Sequence, residues 1–385
     1  MVKYMKIVNI IESIDSSYGG PAVSLPLLVK AIRDAGVVSE IWSVNRIAKY
    51  DNELVDRLGL PVTVYRATLF RYFSLSLALA IFRSCIRKEV DIFHFHSVWS
   101  SPTWIGMLIC RMFGVSYVLS PRSSLYKKSL KKRRFLKGLI STIFLKRLIA
   151  QSGTVHCTDE IEEQDVLDFC TCRTFVLPHG VEMSSSQTHG SDADIINALG
   201  DRNLLYFSRI HRRKNLQVAI EAFFLSELPK NGWKFIVAGP VDDPEYMASI
   251  RKQIDRENFK DSVYFAGMVV EPMKSFVMER SDVFILLSEF ENFGMSISEA
   301  LCFKNYLILS ENTPWDNLEA YGVGQLCKTN PYSARDALNR VNRMFEEGTF
   351  PSNDRFNKYI TENCLTWEAV AKRILIEYES VVLEY

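Results

Sequence analysis

Short apolar runs, each closed by glycine, proline or a polar turn and followed by a helical pattern, recur along the whole chain. Lys6 to Ile11 reads as a buried strand, Ser16-Ser17-Tyr18-Gly19-Gly20-Pro21 as a loop, and Ala22 to Ala35 as a helix stopped by Gly36. Strand, glycine loop and helix in that order open a doubly wound α/β domain, because parallel strands need a crossover between them and helices supply it. Further strand candidates lie at Val38 to Val44, Val62 to Tyr65, Val90 to His94, Ser116 to Leu119, Thr154 to His156 and Thr174 to Leu177. The segment Ser184 to Asp192 is polar and reads as a linker. A second series follows, with strands at 203–207, 234–238, 263–266, 283–287, 306–309 and 324–327. The expected fold class is therefore α/β, with two Rossmann-like doubly wound domains facing a central cleft. Loops at the carboxyl ends of the strands would line that cleft. The expected boundaries are 1–182 for the first domain, 183–365 for the second and 366–385 for a final helix.

The chain has 385 residues, 48% of them apolar, which is enough for two full cores and excludes a disordered protein. A net charge of +1 conceals a segregated distribution. No Asp or Glu lies between Ile92 and Thr158, a window that holds eleven basic residues and leaves 35 basic against 45 acidic residues elsewhere. Such a patch calls for an anionic partner. Within it, Tyr126 to Ile149 reads as a basic helix with Leu136, Leu139, Ile140, Ile143, Phe144 and Leu148 on one stripe. This is the pattern of a helix lying on an anionic leaflet. An ordinary amphipathic helix packed on its own domain is the plainer reading. Nucleic acid ranks last, for want of aromatics placed to stack bases. In the same way Phe73 to Arg87 reads as a helix with Leu75, Leu79, Phe82 and Ile86 on one stripe. The eight cysteines include one tight pair, Cys170-Thr171-Cys172, and read as reduced thiols. Met1 to Ile14 has no leader pattern, and no apolar run approaches the ~20 residues that span a bilayer. The expected location is the cytosol, peripheral on the inner face of the cell membrane.

The richest stretch for chemistry is Ser288 to Leu301, where Glu291 and Glu299 flank Phe293-Gly294-Met295 between a strand and a helix. A helix start with an adjacent glycine offers unpaired N–H groups to a phosphate. Arg209 and Lys214 follow the first strand of the second series and can act as a fork and a point charge on phosphate. Paired carboxylates also serve glycosidases, but those need no cation pair. Gly19-Gly20 permits close backbone approach to an anion, and neither a GxGxxG nor a GxxxxGK[ST] loop is present. His94 and His96 close a strand. No second cluster at metal spacing accompanies them, so His96 is expected to hydrogen-bond a ligand hydroxyl and no metal is expected.

These residues together resemble the retaining glycosyltransferases of family four, which have the GT-B fold. Glu291-x7-Glu299 with Phe293-Gly294 looks like the family's E-x7-E signature. Ser208-Arg209-Ile210 with Lys214 looks like its GR(L/I)…K segment, and Leu177-Pro178-His179-Gly180-Val181 is similar to its IPNGV crossover. Gly19-Gly20, His96 and Ser120-Pro121-Arg122 fall at its first glycine loop and two acceptor-side strand ends, and Thr313-Pro314-Trp315 resembles a loop of members that build bacterial surface polysaccharide. The resemblance implies a nucleotide-sugar donor, a glycan or polyprenyl-linked acceptor, no metal and no other cofactor. Glu299 would bind the ribose, Arg209 and Lys214 the diphosphate, and Glu291 with the backbone of Phe293, Gly294 and Met295 the donor sugar. Met268 and Val269 would flank the base, and Gly20 would approach the donor. His96, with Glu291, Arg209 and Lys214, would be catalytic, and Arg122 would serve the acceptor side. The implied function is retaining sugar transfer to a growing lipid-linked glycan of surface polysaccharide or lipopolysaccharide. A sugar phosphorylase, a sugar-nucleotide epimerase or a non-catalytic scaffold of the same fold is the alternative. The chain departs from the family pattern at Ser208, at His179 and at Pro121-Arg122, where the pattern has Gly, Asn and His. Those changes imply altered acceptor handling.

Overall fold

The computed structural model of the chain describes residues 5–68, 72–122, 124–125, 139–181 and 192–383. The chain divides into two compact units, Met1–Gly180 with Cys364–Tyr385, and Val181–Asn363. The expected linker, apart from Asp192, and the basic stretch from Tyr126 to Arg134, with Lys137, lie outside the described residues.

The first unit alternates β1 (Lys6–Ile11), α1 (Gly20–Asp34), β2 (Val38–Asn45), α2 (Glu53–Leu58), β3 (Val62–Arg66), α3 (Leu75–Arg87), β4 (Ile92–His96), α4 (Ser101–Phe113), β5 (Ser116–Ser120), α5 (Leu139–Ala150), β6 (Thr154–Cys157), α6 (Glu160–Phe169) and β7 (Thr174–Val176). Its seven strands are all parallel, in the order β3-β2-β1-β4-β5-β6-β7. The second unit contains α7 (Ala193–Ala198), β8 (Asn203–Phe207), α8 (Leu216–Leu225), β9 (Lys234–Ala238), α9 (Pro244–Ile254), β10 (Val263–Gly267), α10 (Met273–Glu279), β11 (Val283–Leu286), α11 (Met295–Cys302), β12 (Tyr306–Ser310), α12 (Leu318–Tyr321), β13 (Gly324–Cys327), α13 (Pro331–Glu346) and α14 (Asn353–Glu362). Its six parallel strands run β10-β9-β8-β11-β12-β13. Each sheet thus starts in the middle, winds to one edge, then returns and winds to the other. The connections leaving β1 and β4, or β8 and β11, diverge to opposite faces. A crevice opens between them at the carboxyl ends of the strands. The central strands are buried on both faces, which is why their sequences read as continuous apolar runs such as Val283-Phe284-Ile285-Leu286.

Two helical faces differ from the sequence reading. Leu75, Leu79, Phe82 and Ile86 face solvent, and α3 buries Leu77, Ile81, Ser84 and Cys85 instead. The apolar arc of the helix is wide, running from Leu77 round to Leu79, so periodicity does not say which part of it the sheet receives. Phe82 meets Phe113 of α4 edge-on at 5.2 Å, and Met112 beside it is also exposed. On α5, Ile143 and Phe144 point outward, while Leu145, Leu148 and Ile149 join the core. Among the described residues no helix is long and apolar enough to cross a membrane.

The last helix, α15 (Trp367–Leu383), belongs to the first unit. Val370, Ala371, Ile374, Leu375, Tyr378 and Val381 join Ile7, Leu28, Ile32, Ile92 and Val118 in one cluster. Gly180 lies against Trp367, where an added Cβ would sit 2.4 Å from the indole and 2.7 Å from the Trp367 Cα. Backbone on one side and a packed ring on the other leave no room to relax. Gly180→Ala is therefore expected to destabilise the first unit by about 1–3 kcal/mol, read as a lower denaturant midpoint in chemical unfolding.

Candidate active site

In the second unit the loops after β8 and β11 are tied to each other. Asn215 caps α8 from a left-handed conformation (φ 51°), and its amide donates to the Leu287 carbonyl at the end of β11 at 2.8 Å. The Glu289 N–H donates to the Arg213 carbonyl at 2.9 Å, and the Arg213 guanidinium lies over the Phe290 ring. These bonds bring Lys214 to Glu291. The two form an ion pair, and Ser288 Oγ donates to the same Glu291 oxygen at 2.6 Å. Arg209 is more exposed and pairs with Asp242 at 3.0 Å.

Gly294 precedes α11 at φ 80°, and an added Cβ would lie 2.6 Å from Ile297 Cδ1. Only glycine fits this turn without strain. Phe293 is buried, its carbonyl accepts from Trp315 Nε1 at 2.6 Å, and the two rings meet at 5.1 Å, tilted by 38°. The turn is thus held from behind. Glu299 lies on the second turn of α11, where its Oε1 accepts from Lys274 Nζ at 2.8 Å. Lys274 also reaches Glu271 at 3.3 Å. Burial lowers the Lys274 pKa, and the two carboxylates more than reverse that, so the group stays charged. Met268 is exposed after Gly267, while Val269 is buried. Lys274, Ser288, Asn215 and Trp315 were not singled out as site residues from sequence; their partners lie 25, 3, 72 and 22 positions away.

In the first unit the corresponding loops follow β1, β4 and β5. Gly19 and Gly20 start α1, and a Cβ on either would meet no atom within 4 Å. Behind them lies a buried polar chain whose direction can be worked out. His156 Nε2 meets the Leu177 carbonyl at 2.8 Å, so it carries the proton. His156 Nδ1 then accepts from Ser120 Oγ at 2.9 Å, His94 Nε2 donates to Ser120 Oγ at 2.7 Å, and His94 Nδ1 accepts from Tyr378 Oη at 2.6 Å. His94 is thus locked into the core. His96 is fully buried. Its Nδ1 accepts from Arg122 Nη2 at 3.1 Å, and its Nε2 donates to Asn9 Oδ1 at 3.3 Å. Both ring nitrogens are engaged, so a bond from His96 to a ligand hydroxyl would require one of these partners to be exchanged. Arg122 also donates to His179 Nε2 at 2.7 Å, and His179 stacks on Trp367. Two of the departures from the family pattern, Arg122 and His179, are therefore one interacting pair.

Among the described residues no group of three or more His, Cys, Asp or Glu side chains is placed to hold a metal ion. Burial, followed by charged or polar neighbours, holds His94, His96 and His179 well below 6.5; burial holds His156 at about 4. All four are neutral near pH 7. The unfolded chain binds protons that the folded chain excludes between these values and 6.5. Stability is thus complete above about pH 7 and lost as pH falls through 6.5 toward 4. Each histidine contributes up to ~1.4 kcal/mol per pH unit in that window. Urea unfolding of the first unit should show this slope; a midpoint constant down to pH 5 would contradict the neutral cluster.

Both units of the chain are similar to known proteins. Residues 192–363 match the family model for glycosyl transferases group 1, and residues 18–185 match the model for glycosyltransferase family 4. The chain is similar to the alpha-monoglucosyldiacylglycerol synthase of Streptococcus pneumoniae, with 22% identity over 313 residues, covering 78% of this chain and 69% of that protein. It is also similar to the GDP-mannose:cellobiosyl-diphosphopolyprenol alpha-mannosyltransferase of Xanthomonas campestris, with 22% identity over 322 residues, covering 82% of this chain and 80% of that one. The structure of Anabaena HepE in complex with UDP and glucose superposes with a TM-score of 0.73 at 15% identity, covering 96% of this chain and 98% of that one. With both units matched in turn, the chain belongs to the group 1, family four glycosyltransferases, and its two parallel-sheet units are the halves of a GT-B enzyme.

Proposed function

We propose that the protein transfers a sugar, with retention, from a nucleotide-sugar donor to a lipid-linked glycan or glycolipid acceptor at an anionic membrane surface, without a metal ion. The observation that carries the donor half is the joined loop pair of the second unit. There Lys214 pairs with Glu291 beside the Gly294 turn, on loops that follow the two strands where the strand order reverses. In this reading Glu299 keeps Oε1 on Lys274 and offers its other oxygen to the ribose hydroxyls. Glu291 and the amides at Gly294 and Met295 hold the sugar. Lys214 and Arg209 stabilise the diphosphate as it leaves. Lys214 is already held by Glu291, so the reaction needs little rearrangement of charge there. Arg209 must leave Asp242 to reach a phosphate, an exchange that its exposure makes inexpensive. The HepE structure contains UDP, and the Streptococcus and Xanthomonas relatives are named for a diacylglycerol glycolipid and a diphosphopolyprenol acceptor, which supports both halves of the reading.

The membrane part rests on charge and exposure. Between Arg57 and Thr158 the only acidic residues are Glu89 and Asp91. The same stretch exposes Leu75, Leu79, Phe82, Ile86, Met112, Ile143 and Phe144. Apolar side chains set among cations suit an anionic leaflet.

Three outcomes are expected. UDP, GDP or ADP sugars, one class of them, should raise the unfolding temperature of the wild-type protein and not of Glu299→Ala; no response to any class would refute the donor site. Lys214→Ala should lower turnover by about 10²–10³-fold, the effect of losing one preorganised donor to a developing negative charge. Flotation with phosphatidylglycerol-containing liposomes should weaken with salt and when Lys131, Lys132, Arg133 and Arg134 are neutralised. Binding indifferent to both would rule out the membrane role of the basic stretch.

A further inference from the structure

Arg122 follows β5 at φ 55°, an uncommon conformation for a side chain of its size. Its guanidinium donates to Ser24 Oγ at 2.9 Å, to His179 Nε2 at 2.7 Å and to His96 Nδ1 at 3.1 Å. All three acceptors are neutral. The Nε atom is shut off from solvent and has no partner. Among the described residues no carboxylate lies within ion-pair distance of this cation. The nearby acids are committed elsewhere: Glu162 Oε2 accepts from the Thr158 N–H and hydroxyl, and Glu12 accepts from Ser97 Oγ. Burial lowers the Arg122 pKa to about 10, which leaves it fully charged at neutral pH.

A cavity of about 230 Å³ has Arg122 in its lining, with Ile11, Tyr18, Pro21, His96, Ser97 and Ser124. One water takes about 30 Å³ in the liquid, so the space admits an oxyanion with the first atoms of whatever carries it. A charge withdrawn from water whose acids stay beyond ion-pair distance, Glu162 acting on it only from further off, is destabilising, and a buried donor with no acceptor adds to the cost. The arrival of an anion beside the guanidinium supplies the counter-charge.

We propose that this cavity of the first unit is an oxyanion site, and that the acceptor sugar or its carrier presents a phosphate or a carboxylate to Arg122. This rests on the glycosyltransferase reading above and names the acceptor's chemical class. His96 and His179 act as positioning residues. Each spends a lone pair on the guanidinium and fixes its plane, and neither brings a competing charge.

The test uses the full chain and three proteins: wild type, Arg122→Met, and the double variant Arg209→Ala/Lys214→Ala. Each is titrated with inorganic phosphate, with acetate and with UDP at pH 7 and constant ionic strength, following the unfolding temperature. Phosphate or acetate should stabilise the wild type and the double variant, with the response at least about tenfold weaker in Arg122→Met, since charge-assisted hydrogen bonds are lost. Whichever of the two acts identifies the carrier of the charge. An equal response in wild type and Arg122→Met, or no response to either anion, overturns the proposal. UDP should stabilise wild type and Arg122→Met and lose its effect in the double variant. Failure of UDP alone counts against the donor reading and leaves the anion site standing. Should Arg122→Met not fold, Arg122→Lys decides. It keeps the charge and loses the planar fork, and it should still respond to the anion with a weaker midpoint.

Discussion

The hydrogen bond from the Asn215 amide to the Leu287 carbonyl is the constraint on which the second unit's chemistry depends. The fold alone brings β8 and β11 side by side and lets their loops diverge. That leaves room for a ligand, but not a fixed geometry. Asn215 closes the gap between the two loops and starts α8 in the same stroke, from a left-handed backbone that Asn tolerates better than most residues. With the loops tied, Lys214 and Glu291 fall into contact. The Phe293 carbonyl, taken by Trp315, keeps the glycine turn facing one way. Such a loop pair is rigid because its charged groups are supported by other side chains, Asn215, Ser288 and Trp315.

The two units spend their polar groups differently. The second places its charges in pairs, Lys214 with Glu291, Lys274 with Glu299 and Arg209 with Asp242, so each cation has a counter-ion in hand. The first surrounds one cation with neutral imidazoles. The Tyr378–His94–Ser120–His156–Leu177 chain explains how two further imidazoles, His94 and His156, stay neutral in the core: every proton in it has a single destination, set by the one group that can only accept, the Leu177 carbonyl. The chain also ties α15 to the ends of three strands.

Much of the fold was legible in the sequence because buried parallel strands must be apolar on both faces. The runs at Lys6–Ile11 and Val283–Leu286 needed no partner to be recognised. The Glu291–Glu299 stretch was legible for a similar reason, since its signal is local: two acids, a glycine and a helix start within nine residues. Features that depend on distant partners were not. Nothing near Lys274 announces Glu299, and nothing near Arg122 announces His179, 57 positions away. The face of α3 was misjudged for a different reason. The apolar arc of this helix is wide enough to carry two stripes, and the choice between them is made by the sheet beneath. The outer stripe, left to solvent, is then the informative one.

The placement of α15 has a consequence for the order in which the protein can be built. The second unit is one continuous stretch, whereas the first unit's core takes Val370, Ile374, Tyr378 and Val381 from beyond it. A ribosome therefore delivers every residue of the second unit before the first can seal its sheet. Domains made first usually fold first. Here the earlier-made half must wait with one face of its sheet uncovered, and the proton chain through His94 gains its terminal hydroxyl only when Tyr378 arrives.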